Sequence, residues 1–288
     1  MASRASRLAA AAPAPRVGSP VGRFLQTVVA RAYPRVIGQQ RELAWIFFEI
    51  FLPMMAVAAY VFVYRAIGAP EEYVGFVVLG GAMTAFWMNV LWSMSSQLYW
   101  EKEQGNLALY IMAPNSLMAV LLGMALGGLF ATTLRAVVIL VAGSLLFDVR
   151  FAVGSLPALA ATFLLTMTAL YGLGMMSASL FLLLSREAWH LSNLAQEPVY
   201  LLSGFYFPIK SLNFWVAVGA SVIPLTLGLD AIRQLVSPSG AALGFLPVTV
   251  ELGVLAVLCV VFLIGARSLL AHMERLAVRE GRLTESRR

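Results

Sequence analysis

The sequence predicts an all-α integral membrane protein with six transmembrane helices, and three observations carry that prediction. Of its 288 residues, 60% are hydrophobic and only 12% are charged, about half the charge of an ordinary soluble domain. Apolar runs long enough to cross a bilayer recur along the chain; crossing takes about 20 residues as helix. The basic residues gather at the two ends. Arg4, Arg7, Arg16, Arg23, Arg31, Arg35 and Arg41 precede the first apolar run, and Arg267, Arg275, Arg279, Arg282, Arg287 and Arg288 follow the last.

Each element follows in order. Residues 1–20 are rich in Ala, Pro and Arg, and Pro13 and Pro15 break the only stretch that could serve as a signal-peptide core. They read as a disordered cytoplasmic tail. Residues 21–43 place Phe24, Leu25, Val28, Val29 and Ile37 on one helical face among basic residues, with Pro34 as an interruption. That pattern predicts an N-terminal amphipathic helix at the membrane interface. The spans are expected at about 44–64, 74–94, 117–147, 155–184, 189–208 and 245–266. Residues 95–116 form a polar cytoplasmic segment. Prolines 208, 224 and 238 break residues 209–244, which read as outer re-entrant helices before the last span. Residues 271–288 are a basic cytoplasmic tail.

Charge placement sets the orientation. With six spans and both termini inside, the two ends plus Lys102 and Arg186 put 15 of the 20 basic residues in the cytoplasm. Arg65, Arg150, Lys210 and Arg233 fall outside, and Arg135 falls within a span. This is the positive-inside asymmetry. A seventh span would put the basic C-terminus outside. The same basic clusters read as membrane-surface charge rather than as a nucleic-acid face.

The sequence carries no catalytic signature. Its two lysines, Lys102 and Lys210, stand in no phosphate-binding loop, and neither a zinc-protease nor a serine-hydrolase motif occurs. His190 and His272 are far apart and imply no metal site. The charges inside the apolar runs are Glu49, Arg135, Glu197 and Glu251. Such groups are costly in lipid and face the bundle interior, each other or water. Counting helical rise puts Glu49 and Glu197 in the cytoplasmic third, and Arg135 and Glu251 in the outer half. Arg135 and Glu251 are therefore a candidate ion pair, and Glu49 a candidate for snorkelling. The same four residues are candidates for a polar transport path. Gly123 and Gly127 form a small-xxx-small pair suited to close helix contact, within the chain or between subunits.

The polar segment is the most informative stretch. It reads Tyr99-Trp100-Glu101-Lys102-Glu103-Gln104-Gly105-Asn106-Leu107, then Ala113-Pro114. Downstream come Glu197-Pro198, Leu202-Ser203-Gly204, Phe207-Pro208, Pro224-Leu225-Thr226 and Asp230-Ala231-Ile232-Arg233. In this order the motifs resemble the permeases of type-2 ABC transporters, over roughly residues 21–270. Ala108 departs from the pattern, because the family often has an acidic residue there.

The resemblance implies a transmembrane subunit of an ATP-driven exporter, in the plasma (inner) membrane of a bacterium. It implies a pair of permease subunits, a homodimer here, and two copies of a separate ABC ATPase. ATP and Mg would be used by that partner, with no cofactor bound by this chain. The family's coupling helix maps onto Tyr99, Trp100, Glu101, Lys102, Glu103 and Gly105. The cargo path could draw on Phe86, Trp87, Trp92, Tyr171, Phe205, Tyr206 and Phe207. The alternative reading is an ion-coupled secondary transporter using Glu49, Glu197 or Glu251 as a proton site. Its mark would be an inverted repeat with matching broken helices, and the sequence shows no convincing internal repeat.

Overall fold

The structure, a computed structural model, describes residues 19–112, 116–184, 186–237 and 240–280. The Ala113-Pro114 pair, Pro238, most of the expected N-terminal tail and the end of the C-terminal one lie outside those residues. The described residues are helical, with no strand.

Helix α1 (Pro20–Arg41) begins with Pro20 at its first position, and the Ser19 hydroxyl caps it by accepting from the Gly22 amide at 3.1 Å. The helix runs on through Pro34, so the expected interruption does not end it. After a break at Glu42 the chain enters α2 (Leu43–Ala66). The central rod follows: α3 (Glu72–Met88), a π-helical turn over Asn89–Met94, and the short α4 (Gln97–Glu103). Val74 and every residue from Phe76 to Trp87 are buried. A helix apolar all round belongs in the middle of a bundle, and α2, α6 (Leu117–Phe147), α7 (Leu156–Leu184) and α10 (Pro224–Val236) surround this one. Between α4 and α6 lies α5 (Asn106–Met112).

Helix α6 has 31 residues, about 46 Å at 1.5 Å per residue, which exceeds the ~30 Å apolar core of a bilayer. The surplus has a partner. A Cβ on Gly123 would come within 2.4 Å of the Val28 carbonyl, and one on Gly127 within 2.8 Å of the Ala32 carbonyl. The two glycines let α1 lie against α6 with both helices running the same way. The small-residue pair thus serves contact within the chain.

Among the described residues, five helices are long and apolar enough to cross a membrane: Leu43–Ala66, Glu72–Glu103, Leu117–Phe147, Leu156–Phe181 and Val248–Leu276. The expected span at 189–208 is not among them. Helix α8 (Arg186–Leu202) has 17 residues and carries His190, Asn193, Gln196 and Glu197. Its length and polarity both fall short, yet its two ends lie far apart in the bundle. Trp189 packs on Trp92 and Trp100 beside α4, whereas Tyr206, just past the helix, stacks on Tyr60 near the far end of α2. Helices α9 (Phe214–Ala220) and α10 meet at 109°, as a broken span or a re-entrant loop. The four-residue α11 (Gly240–Leu243) leads to α12 (Val248–Glu280), which packs along α7. Helix α12 runs well past the expected span limit of 266.

Candidate functional site

The polar segment folds into an elbow. Helix α4 ends at Glu103, and Gly105 takes φ +77°, the left-handed value that favours glycine after a helix. Helix α5 then folds back on α4. At the joint is Glu101, only 7% exposed. One carboxylate oxygen accepts from the Arg31 guanidinium at 2.8 Å and the Gln97 amide at 3.2 Å. The other accepts from Tyr110 Oη at 2.9 Å and Asn106 Nδ2 at 3.0 Å. Arg31 also stacks over the Tyr110 ring, 4.6 Å from its centroid. Burial and the bond to Glu101 push the Tyr110 hydroxyl up to about 12, so at neutral pH it stays a donor.

Glu101 therefore faces inward. All four bonds tie the elbow to itself and to α1, which leaves little of this carboxylate for an outside partner. The exposed surface of the elbow is Trp100, Glu103, Gln104 and Gly105, with Tyr99 and Lys102 half-buried. Spacing alone could not sort these roles, because one turn of helix puts Glu101 inside and Glu103 outside. No role at the elbow was expected of Arg31, Asn106 or Tyr110. Their one signal was Arg31 with Arg35, a turn apart on the helix face that meets Gly123 and Gly127.

The intramembrane charges pair differently from expectation. Arg135 forms an ion pair with Glu49, and Arg135 is 4% exposed. The depth count failed because it was made along each helix by itself, without the offset between neighbouring helices. The turns up to Gly127 lie beside α1, so Arg135 is only about 12 Å further along, level with Glu49 about 9 Å into α2. Glu251 is fully buried at the other end of the bundle. There the Gln234 amide nitrogen lies 3.3 Å from Glu251 Oε2 and 3.1 Å from Asp230 Oδ2. Glu197 is exposed on α8. The four charges do not converge on one path.

A cavity of about 630 Å³ lies between α1, α2, the π-helical turn, α4, α6 and α8. Arg35, Glu49, Arg135 and four tryptophans line it. Of the aromatic residues considered for a cargo path, Trp92 alone is on its wall; Phe86, Trp87, Tyr171, Phe205 and Tyr206 are buried in the packed core.

The opposite end is organised around Arg233 on α10, 3% exposed. Its guanidinium donates to the carbonyls of Gly204 (2.6 Å), Phe205 (2.7 Å), Phe76 (2.9 Å) and Phe207 (3.3 Å). Those carbonyls belong to α3 and to the loop after α8, where Gly204 has φ +66°. The motif Asp230-Ala231-Ile232-Arg233 thus has a structural reason: Arg233 satisfies the loop carbonyls of Gly204, Phe205 and Phe207, which no helix ladder reaches, and Asp230 accepts from the Phe245 amide at 2.8 Å.

No curated protein matches the chain closely enough to stand as a relative. The family described as the ABC-2 type transporter matches residues 24–236. That stretch runs from α1 through the elbow to the end of α10, and so includes the Glu101 joint and the Arg233 cluster. Five apolar helices of crossing length and a family match over most of the chain lead to one conclusion: this is a multi-pass membrane protein belonging to the ABC-2 type transporter family.

Proposed function

We propose that the chain is the permease subunit of an ATP-driven exporter and that its elbow receives force from a separate ABC ATPase. The observation that carries this reading is the division within α4. Glu101 binds the elbow internally, while Glu103 points out, Gln104 accepts only from Asn106 at 3.3 Å, and Trp100 keeps an exposed face beside its contact with Trp189. A joint pinned on one side and exposed on the other transmits a push from a docked protein into α1 and α3. Binding of ATP does work here only if the partner favours one arrangement of the helices over the other.

Under this reading α8 completes six crossings. Support comes from its reach, with Trp189 beside the elbow and Tyr206 beside the far end of α2. Both termini and the elbow then face the cytoplasm of a bacterial cell, and two copies of the chain pair over two ATPase copies. Nucleotide and Mg belong to the ATPase. The scattered carboxylates speak against the ion-coupled alternative, since Glu49, Glu197 and Glu251 share no site.

Cross-linking tests the docking directly. Cys259 is the sole cysteine and is buried, so Gln104→Cys supplies one accessible thiol. In native membranes it is expected to trap a nucleotide-hydrolysing subunit. Labelling of that thiol only from outside the cell would defeat the proposal.

A further inference from the structure

The cavity beside the elbow has a chemistry of its own. Three charged residues line it: Arg35, Arg135 and Glu49. Glu49 is engaged with Arg135, which leaves one net positive charge. Arg35 donates to Gln97 Oε1 and Ser93 Oγ, both neutral. A guanidinium has five N–H donors in a fork that matches carboxylate and phosphate oxygens. Arg35 Nε is buried without a hydrogen-bond partner, and burial pulls the guanidinium below its ordinary value. A bound anion would offset that desolvation.

The remaining wall is aromatic and apolar. Trp45, Phe48 and Leu52 line the cavity and are more than half exposed on α2. The cavity is therefore continuous with the flank of the bundle, the surface that meets lipid. Its volume of about 630 Å³ falls within the usual ~300–1,000 Å³ of small-molecule sites.

We infer that this cavity binds an amphipathic anion, with the acidic head at Arg35 and the apolar body against Trp45, Phe48 and Leu52. The site selects its ligand by two features together. A neutral amphipath leaves the net positive charge of the cavity wall unmatched, and a small inorganic anion leaves the apolar wall empty. The inference rests on the permease reading, since it names the class of molecule that such a subunit would accept from the inner leaflet.

The test is ligand binding to the full-length protein in a neutral detergent. Four of the six tryptophans line the cavity, so intrinsic fluorescence reports its occupancy. The probes are dihexanoyl phosphatidic acid, dihexanoyl phosphatidylcholine and inorganic phosphate. Phosphatidic acid is expected to give a saturable change, with an affinity at least about tenfold above that for the choline lipid. Inorganic phosphate is expected to give no saturable change over the same range. Arg35→Gln should weaken the acidic lipid about tenfold, and Arg35→Lys should retain most of the binding.

Equal binding of the two lipids would reduce the site to an apolar pocket and overturn the inference. Phosphate binding as tightly as the acidic lipid would make it a plain anion site and overturn the inference equally. Unchanged affinity in a folded Arg35→Gln protein would place the ligand elsewhere. The head-group comparison on the unaltered chain decides the matter even if that variant misfolds. The assay holds no nucleotide and no ATPase, so its failure and a failure of docking at the elbow are separate results.

Discussion

Two buried charges organise the two ends of this bundle, and they are held in opposite ways. Glu101 at the elbow is held by four side chains, from Arg31, Gln97, Asn106 and Tyr110. Arg233 at the opposite end is held by four backbone carbonyls, from Phe76, Gly204, Phe205 and Phe207. A side chain changes partners by rotating about its own bonds, whereas carbonyls move only with their backbone. The difference teaches which end can yield. Glu101 can trade partners while each helix stays intact, so the elbow suits a moving joint. Arg233 cannot leave without stranding acceptors in the core, so the far end suits an anchor.

Gly80 strengthens the contrast. A Cβ there would fall 1.5 Å from the Phe205 carbonyl oxygen, so the central rod presses directly on the loop that Arg233 grips. At the elbow the equivalent space is filled by long side chains that can rearrange.

The largest expected effect comes from attacking the anchor. Arg233→Met takes the donor from the three loop carbonyls of Gly204, Phe205 and Phe207, and each buried group left unsatisfied costs about 1–3 kcal/mol. Folded protein should nearly vanish from membranes, as read by detergent size-exclusion yield and thermal melting. Glu101→Met, measured alongside, should be milder; an equal loss would break the comparison.

Next comes the seam between α1 and α6. Gly123→Val drives a side chain into the Val28 backbone, and overpacking of this kind costs about 1–3 kcal/mol. Helix α1 should become protease-sensitive while the rest of the bundle stays resistant. Uniform protection of α1 in that variant would mean the seam is not as tight as its geometry.

Glu101→Gln is gentler. It removes the charge facing Arg31, whose side chain is 27% exposed, and keeps an acceptor for Tyr110 and Asn106. A hydrogen bond to a charged group contributes about 1.5–3 kcal/mol, and partial exposure puts this one at or below the low end. A small drop in melting temperature should accompany a loosened response to the ATPase. An unaltered response would show that the joint does not move.

Glu103→Ala should change stability least, within about 0.5 kcal/mol, as for other exposed positions. It should nonetheless lower cargo transport per ATP hydrolysed in the reconstituted complex. Full coupling in that variant would remove Glu103 from the docking surface and sharpen attention on Trp100 and Gln104.

Several of these features were legible along the chain. The first, third and fourth expected spans lie within a few residues of crossing-length helices, whereas the second runs on to Glu103, past its expected limit of 94; about 20 apolar residues have one stable way to cross lipid. Gly105 as a helix stop was legible too, since its role is local. The expected span at 189–208 has no counterpart among the crossing-length helices. Its residues between Trp189 and Tyr206 reach from one end of the bundle to the other, yet His190, Asn193 and Glu197 dilute the apolar signal. Arg135 and Glu251 were mispaired because depth was counted along each helix by itself. The register of α6 against α1 and α2 set the true pairing.

The amino-acid order by itself determined the membrane class, the helical content, the position of the elbow and the family motifs. Each depends on hydrophobicity and backbone hydrogen bonding within a few turns. The tertiary structure alone decided that Glu101 turns inward, that Arg135 meets Glu49, and that Arg233 holds the backbone of two distant segments. Such contacts join residues far apart in the chain, 62 positions for Arg35–Gln97 and 157 for Arg233–Phe76. Which partners meet depends on the tilt, rotation and overhang of whole helices, quantities that no local spacing encodes.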